Sequence, residues 1–225
     1  MQKKISPKNK IKLDKKEQIK ENERLENNKV LENIEQLKKN NLLNSYLGNK
    51  GYSIYKVCLT SEIISYVKKE LTVKPFTQNS IVETIPFPVY QESDKKIYVP
   101  RFWGLKVFGK PNQVKITQGK SINIEFKGQL RKEPVNQEEI VDAYLNSLKT
   151  QESNYSSGGS CLIELKCGGG KTILALNILS KLKKKTIIFV QKTFLKNQWI
   201  ERIEEFLPDA KVGTIQGQII DIEDK

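Results

Sequence analysis

Apolar positions fall into three textures along the 225-residue chain. Through residues 1–44 they are sparse. Only Val30, Leu31, Ile34 and Leu37 recur at helical spacing, within NNKVLENIEQLKK. The Lys-, Asn- and Glu-rich run before them reads as disordered or as fraying helix. Further on, Ile63, Ile64, Val67 and Leu71 share one face and predict a helix with Ser61 as N-cap. Residues 75–127 are broken by Pro86, Pro88, Pro100 and Pro111. Between these breaks the short runs KIYV, LKVF, QVKI and SINIEF predict strands, with turns at QESDKK and TQGK. The aromatics here (Phe87, Tyr90, Tyr98, Phe102, Trp103 and Phe108) are expected in a core rather than on a base-stacking platform. EEIVDAYLNSLK predicts another helix, and TQESNYSSGGS a polar connector. After it the alternation is strict. SCLIEL predicts a buried strand, KTILALNILSKL a helix, KKTIIFV a strand, FLKNQWIERIEEFL a helix ended by Pro208, and AKVGTIQG a third strand or turn. That βαβαβ order implies an α/β fold with a parallel sheet and crossover helices.

Charge changes the picture only slightly. Lys and Arg number 39 against 26 Asp and Glu, a formal charge of +13. The excess divides as +5, +5 and +3 over residues 1–44, 45–157 and 158–225, so it forms no single basic arm. A diffuse positive field favours polyanions in general and serves solubility as well. No apolar run approaches the ~20 residues needed to span a bilayer, and the N-terminus shows no secretory pattern. Three scattered cysteines (Cys58, Cys161, Cys167) and no histidine argue against zinc sites and His-based catalysis.

Residues 161–172, CLIELKCGGGKT, carry the candidate chemistry. Cys167, Gly168, Gly169 and Gly170 lie between a predicted strand and a predicted helix, where successive backbone N–H groups wrap phosphate oxygens. The helix N-terminus adds partial positive charge. Glycines suit such a loop because many of its angles need positive φ and side chains would block the approach. Lys171 stands where an ammonium bridges β- and γ-phosphates, and Thr172 offers a hydroxyl to Mg²⁺. The loop departs from G-x-x-x-x-G-K-[ST] in having Leu165 at the first glycine position.

The segment from Gly168 to Thr172, G-x-G-K-T, resembles motif I of superfamily 2 helicases, where the loop reads P-C-G-x-G-K-T. No glycine is needed there at the Leu165 position, although Lys166 replaces the usual small or prolyl residue. IIFVQKTFLKNQWIERIEEFLP resembles motif Ia of the same superfamily. The stretch from Gly169 to Lys225 is similar to the XPB-like branch of large DNA viruses, relatives of the poxvirus transcript-release helicase. GYSIYKVCLTSEIISYVKKELTVKPF and IYVPRFWGLKVFG are similar to the region preceding the motor in giant-virus members. The resemblance covers residues 46–225.

It implies an ATP-hydrolysing helicase or translocase, with ATP and Mg²⁺ as cofactors and nucleic acid as partner, DNA in preference to RNA. The expected setting is cytoplasmic: the viral host cytoplasm or the virion. It also implies that Lys171 and Thr172 serve catalysis and that Gln191, Lys192 and Thr193 contact a phosphodiester strand. In that family a Gln-bearing segment ahead of motif I reads adenine. Here LRKEPVNQEEIVDAYL supplies Leu130, Arg131 and Gln137 with extra residues between Arg and Gln. Gln137 is either that amide or an ordinary polar helix start. For Trp199 plain helix packing is expected.

The expected organisation is a charged leader, helical or disordered (1–44), a small accessory α+β region (45–157), and a partial first lobe with a RecA-like P-loop parallel sheet (158–225). In the QIIDIEDK ending, Asp221, Glu223 and Asp224 read as a solvent loop rather than a Walker B site. The expectation is therefore the front piece of a helicase, with the downstream lobe on missing sequence or a separate chain. Such a piece alone is expected to be weakly active. Rival readings are a P-loop NTPase or kinase of another class, and a non-catalytic nucleic-acid-binding fragment.

Overall fold

The computed structural model describes the backbone of residues 7–75, 84–117, 119–155 and 159–222, and side chains from residue 17 onward except 152–155. The chain forms two compact units, Met1–Ile116 and Thr117–Lys225.

In the first unit, α1 (Pro7–Lys39) extends through most of the polar leader as a helix of 33 residues. Its Lys, Glu, Gln and Asn side chains ask for little burial, and Lys38 and Lys39 in the last turn suit the helix dipole. Ile34 is buried while Ile19 and Leu25 are exposed, so only the C-terminal turns meet the unit's core. The strands β1 (Ser45–Gly48) and β2 (Gly51–Tyr55) form a tight hairpin with Gly48 opposite Gly51. Gly51 turns at φ +92°, and a Cβ there would lie 2.5 Å from the Val99 carbonyl oxygen. Then come α2 (Ser61–Glu70), β3 (Thr72–Val73), β4 (Phe87–Pro88), β5 (Gln91–Glu92), β6 (Lys96–Val99), α3 (Arg101–Phe108) and β7 (Gln113–Val114). The main sheet has the order β5-β6-β2-β1-β7, antiparallel except where β7 runs parallel to β1. Its inner face is Leu47, Tyr52, Ile54, Ile97 and Val99, all buried. Tyr52 stacks on Phe108 of α3 at 6.1 Å, and Gly104 sits so close to Tyr52 that a Cβ would reach 2.5 Å from the ring.

Several local expectations need correction. Thr60, not Ser61, caps α2, its hydroxyl accepting from the Ile63 N–H at 3.4 Å. LKVF lies inside α3, where Leu105 and Phe108 point to the core one turn apart. SINIEF forms no strand, only a single antiparallel bridge between Ser121 and Lys184. The hairpin of β1 and β2 was not anticipated at all.

The second unit holds α4 (Gln137–Tyr155), α5 (Lys171–Leu182), α6 (Thr193–Phe206), β8 (Thr214–Gln216) and β9 (Ile219–Asp221). Helix α5 is its axis. Leu176 packs with Ile124, Ile203 and Leu207, and Trp199 leans on that cluster as expected for helix packing. Leu174 and Ile178 pack with Val141 of α4. Residues 117–157, expected with the accessory region, thus share a compact unit with the glycine loop.

Helices α5 and α6 fall where periodicity places them, α4 runs on through residues 150–155 of the expected connector, and the parallel sheet does not appear among the described residues. The runs 161–166 and 185–190 form no strand, although Lys185 N–H donates to the Lys120 carbonyl at 2.9 Å beside the Ser121–Lys184 bridge. Alternate side chains still turn inward: Ile163, Leu165 and Ile188 meet the helices, whereas Leu162, Ile187 and Phe189 are 92%, 74% and 89% exposed. Strands β8 and β9 pair with each other, antiparallel, rather than joining such a sheet. Asp221, expected in a solvent loop, instead ends β9 opposite Thr214 on an exposed hairpin with Ile219 and Ile220, and Glu223 and Asp224 lie outside the described residues.

Candidate nucleotide site

The extended run ends at Lys166, and the chain turns through Cys167–Gly170 into α5. Gly168 and Gly170 take left-handed angles, φ +78° and +82°, which L side chains rarely adopt. Nothing lies within 4 Å of where a Cβ on Gly168 would stand, so the loop is open on that side. Gly169 N–H donates to the Lys166 carbonyl at 3.1 Å, closing the turn. Gly170 is the N-cap of α5 and brings no side chain to satisfy the first N–H groups of the helix. Those groups are thus left for a ligand or water.

Lys171 opens the helix. Its ammonium donates to the carbonyls of Leu165 (2.8 Å) and Lys166 (3.0 Å), which folds the side chain back over the loop. An ammonium has three N–H donors, so one remains. Thr172, half-buried, follows on the first turn.

Gln137, at the start of α4, is 4% exposed and braces the loop from behind. Its Oε1 accepts from Arg131 N–H (2.8 Å) and its Nε2 donates to the Gly169 carbonyl (3.1 Å). The contact with Gly170 is so tight that a Cβ there would stand 2.2 Å from Nε2. The residues between Arg131 and Gln137, where the spacing looked irregular, close a loop in which Gln137 N–H donates to the Arg131 carbonyl at 2.9 Å.

A cavity of about 600 Å³ opens beside these residues, lined by Gln137, Gly168, Gly170, Lys171 and Thr172. Gln129, Arg131, Ile173 and a stripe of α6 (Gln198, Arg202, Glu205, Phe206) complete it. Arg202 and Glu205 pair with each other. These α6 residues lie in the segment resembling motif Ia, and Arg202 and Glu205 carry only the signal of sharing a helical face with Gln198. The donors fit a phosphate group: two left-handed glycines, free helix N–H groups, and cations at Lys171, Arg131 and Arg202. For a divalent cation the described lining offers the Thr172 hydroxyl, and its one carboxylate, Glu205, is engaged with Arg202.

Gln191, Lys192 and Thr193 occupy the turn into α6, all exposed. Lys192 is the N-cap residue, in extended conformation. Gln216 of β8 bridges this turn, its Nε2 donating to the Thr193 hydroxyl (2.9 Å) and its Oε1 accepting from Lys196 (2.6 Å).

With this geometry in view, comparison with known proteins is informative. Residues 131–225 match the family model described as "Type III restriction enzyme, res subunit". Over 186 residues the chain is 30% identical to a protein of Acanthamoeba polyphaga mimivirus named "Putative ATP-dependent RNA helicase", covering 80% of this chain and 34% of that one. It is 30% identical over 122 residues to a "Putative helicase" of Invertebrate iridescent virus 3, covering 52% and 34%. A "Putative helicase" of Invertebrate iridescent virus 6 is 38% identical over 87 residues, covering 38% and 17%. No solved structure gives a significant match. Residues 131–225 are thus similar to helicase-like proteins of large DNA viruses. The chain spans about a third of the length of the first two of these relatives. Among the described residues no helix is long and apolar enough to cross a membrane.

Proposed function

We propose that the second unit is the nucleotide-binding face of an ATP-dependent helicase or translocase that acts on nucleic acid, and that ATP enters at the Cys167–Thr172 loop with Mg²⁺. One observation carries this reading: two left-handed glycines and Lys171 at the head of α5 border a cavity whose far wall is α6. Bound ATP supplies the phosphoanhydride whose cleavage drives movement. The chain's own residues bind and orient it. Gly168, Gly169 and Gly170 present backbone N–H groups to the phosphates, Lys171 adds its remaining N–H, and Thr172 offers one oxygen to the metal ion. Gln137 holds the loop in shape through Gly169, and its second amide N–H is the group we assign to the adenine. The turn Gln191–Thr193 offers exposed polar groups to a phosphodiester strand. DNA is the preferred partner, and the setting proposed is the host cytoplasm or virion.

Hydrolysis by this machinery also needs acidic groups for the metal and attacking water, which we assign to chain outside the described residues, and an arginine finger, which we assign to a second lobe in cis or in trans. The unit alone is therefore expected to bind nucleotide and turn it over poorly. A titration with a fluorescent ATP analogue tests the reading. Lys171→Ala is expected to weaken binding by about tenfold or more, the loss of a charge-assisted phosphate contact. Unchanged affinity would overturn the assignment.

A further inference from the structure

The first unit carries a second surface with chemistry of its own. The alternation that buries Leu47, Tyr52, Ile54, Ile97 and Val99 sends Tyr46, Ser53, Tyr55, Lys96 and Tyr98 to the opposite face of the same sheet. The register lines them up: Tyr46 of β1 lies opposite Ser53 of β2, which lies opposite Tyr98 of β6, while Tyr55 and Lys96 are partners two residues along. Small Ser53 lies between two tyrosines and is itself 1% exposed, so the rings close over it and form the surface of this face. Gly48 serves the same end, its Cα lying under the Tyr46 ring so closely that a Cβ would be 3.0 Å from it. The tyrosine rings are only half-buried, and Tyr46 and Tyr55 stand 6.4 Å apart.

Three lysines hover over these rings. Lys96 is 4.6 Å from the Tyr55 centroid and 5.0 Å from that of Tyr46. Lys115, just past β7, is 4.4 Å from Tyr46, and Lys50 in the hairpin turn is 4.9 Å from Tyr98. None of the three forms an ion pair with a carboxylate among the described residues. Glu92, the nearest strand carboxylate, is engaged elsewhere by Lys56 and Lys68. The Tyr46 hydroxyl is held below the usual phenol range, first by the Ser53 hydroxyl and then by Lys96, whose ammonium donates to it at 3.3 Å, with the Lys115 charge adding to the effect.

A plain packing role would not gather three aromatic rings and three cations on the solvent side of a sheet while excluding acids. Cation–π contact satisfies a lysine only in part, because the ammonium stays wet and ready to exchange the ring for an anion. Flat aromatic faces with interleaved cations are what an unpaired nucleotide strand needs: bases stack on rings, phosphates take the ammonium groups. Paired bases have their faces hidden, so a duplex gains only the charge term. We propose that this sheet face, Tyr46, Tyr55 and Tyr98 with Lys50, Lys96 and Lys115, binds single-stranded nucleic acid. The site belongs to the first unit and is independent of the nucleotide cavity.

Fluorescence anisotropy with the full chain and a labelled thymidine oligomer of about 12 nucleotides tests it. The expected result is that Tyr46→Ala with Tyr98→Ala weakens single-strand binding by about tenfold or more, while the matching Phe pair stays within about twofold. Lys96→Gln with Lys115→Gln, surface changes that keep the sheet, should weaken binding and flatten its salt dependence by about two phosphate contacts. Both effects should persist in a Lys192→Ala background, which removes the proposed turn contact of the other unit. Four outcomes overturn the proposal. These are full affinity in the Ala pair, equal loss in the Phe pair, a duplex bound as tightly as the single strand, or an unchanged salt slope in the Gln pair. If the Ala pair does not fold, the Gln pair and the duplex comparison decide.

Discussion

Strand β6 and the run from Leu162 to Leu165 are written in nearly the same hand. Each alternates an inward apolar residue with an outward one: Ile97 and Val99 in β6, Ile163 and Leu165 in the run. Yet β6 is hydrogen-bonded on both sides, to β2 and to β5, and its inward residues are fully buried. The run from Leu162 has no strand on either side among the described residues, and its inward residues are only half-buried against α4 and α5. The difference lies in the outward positions. In β6 they are Lys96 and Tyr98, which tolerate water; in the other run the leading one is Leu162, almost bare. Alternation therefore fixes which side of a segment meets a helix, while the edge partners decide whether it becomes a strand. Residues with apolar side chains on both faces belong between two layers.

The largest way to break this comparison is in the packed sheet. Phe108→Ala, beneath Tyr52, should cost about 3–5 kcal/mol in denaturant unfolding of the first unit. Leu162→Ser should change the second unit by less than about 0.5 kcal/mol, since the side chain is already in water. A large loss from Leu162→Ser would mean that its outer face is covered after all. A middle-sized effect is expected at Gln137, whose amide ties two backbone groups. Gln137→Ala should cost about 1 kcal/mol in the second unit by leaving the part-buried Arg131 N–H and Gly169 carbonyl without their partner, and it should weaken nucleotide binding by loosening the loop. Stability without any loss of nucleotide affinity would separate brace from site.

The smallest effect concerns Glu92 of β5, whose carboxyl is held below the usual range by hydrogen bonds from Lys56 and then Lys68. A carboxylate with a depressed folded-state value stabilises above its unfolded value and loses that contribution as pH falls through the folded one. The first unit should therefore weaken slightly in the acid range. Glu92→Gln should flatten that slope, and salt should shrink it, because the group is exposed.

How much of this was visible in the sequence follows the same physics. Helices α2, α4, α5 and α6 were legible because helical periodicity is local. The loop was legible too, since Gly168, Gly170, Lys171 and Thr172 sit together where the chain must turn from an extended run into α5. The β1–β2 hairpin was missed because GNKG is a weak turn signal and Ser45, Ser53 and Tyr52 blur the alternation. LKVF was misread because four apolar-rich residues do not distinguish a strand from a helix turn. Arg202 and Glu205 carry no cavity signal in the sequence because only the folded chain shows what lies opposite the loop. Tyr98 was assigned to a core on composition, and its orientation depends on a register that no short window reveals.

The brace at Gln137 has a consequence for how this protein may be divided. The polar stretch around Gly158 looks like a natural seam, and a motor piece begun there would still contain every residue of the phosphate loop. It would lack the amide that fixes Gly169, the Val141 that seats Leu174, and the Ile124 that seats Leu176. The loop's shape is thus inherited from chain that precedes the motif by some thirty positions, 137 to 169. Grafting, recombination or truncation would preserve the working site only if it carried residues 117–157 along as a single heritable block.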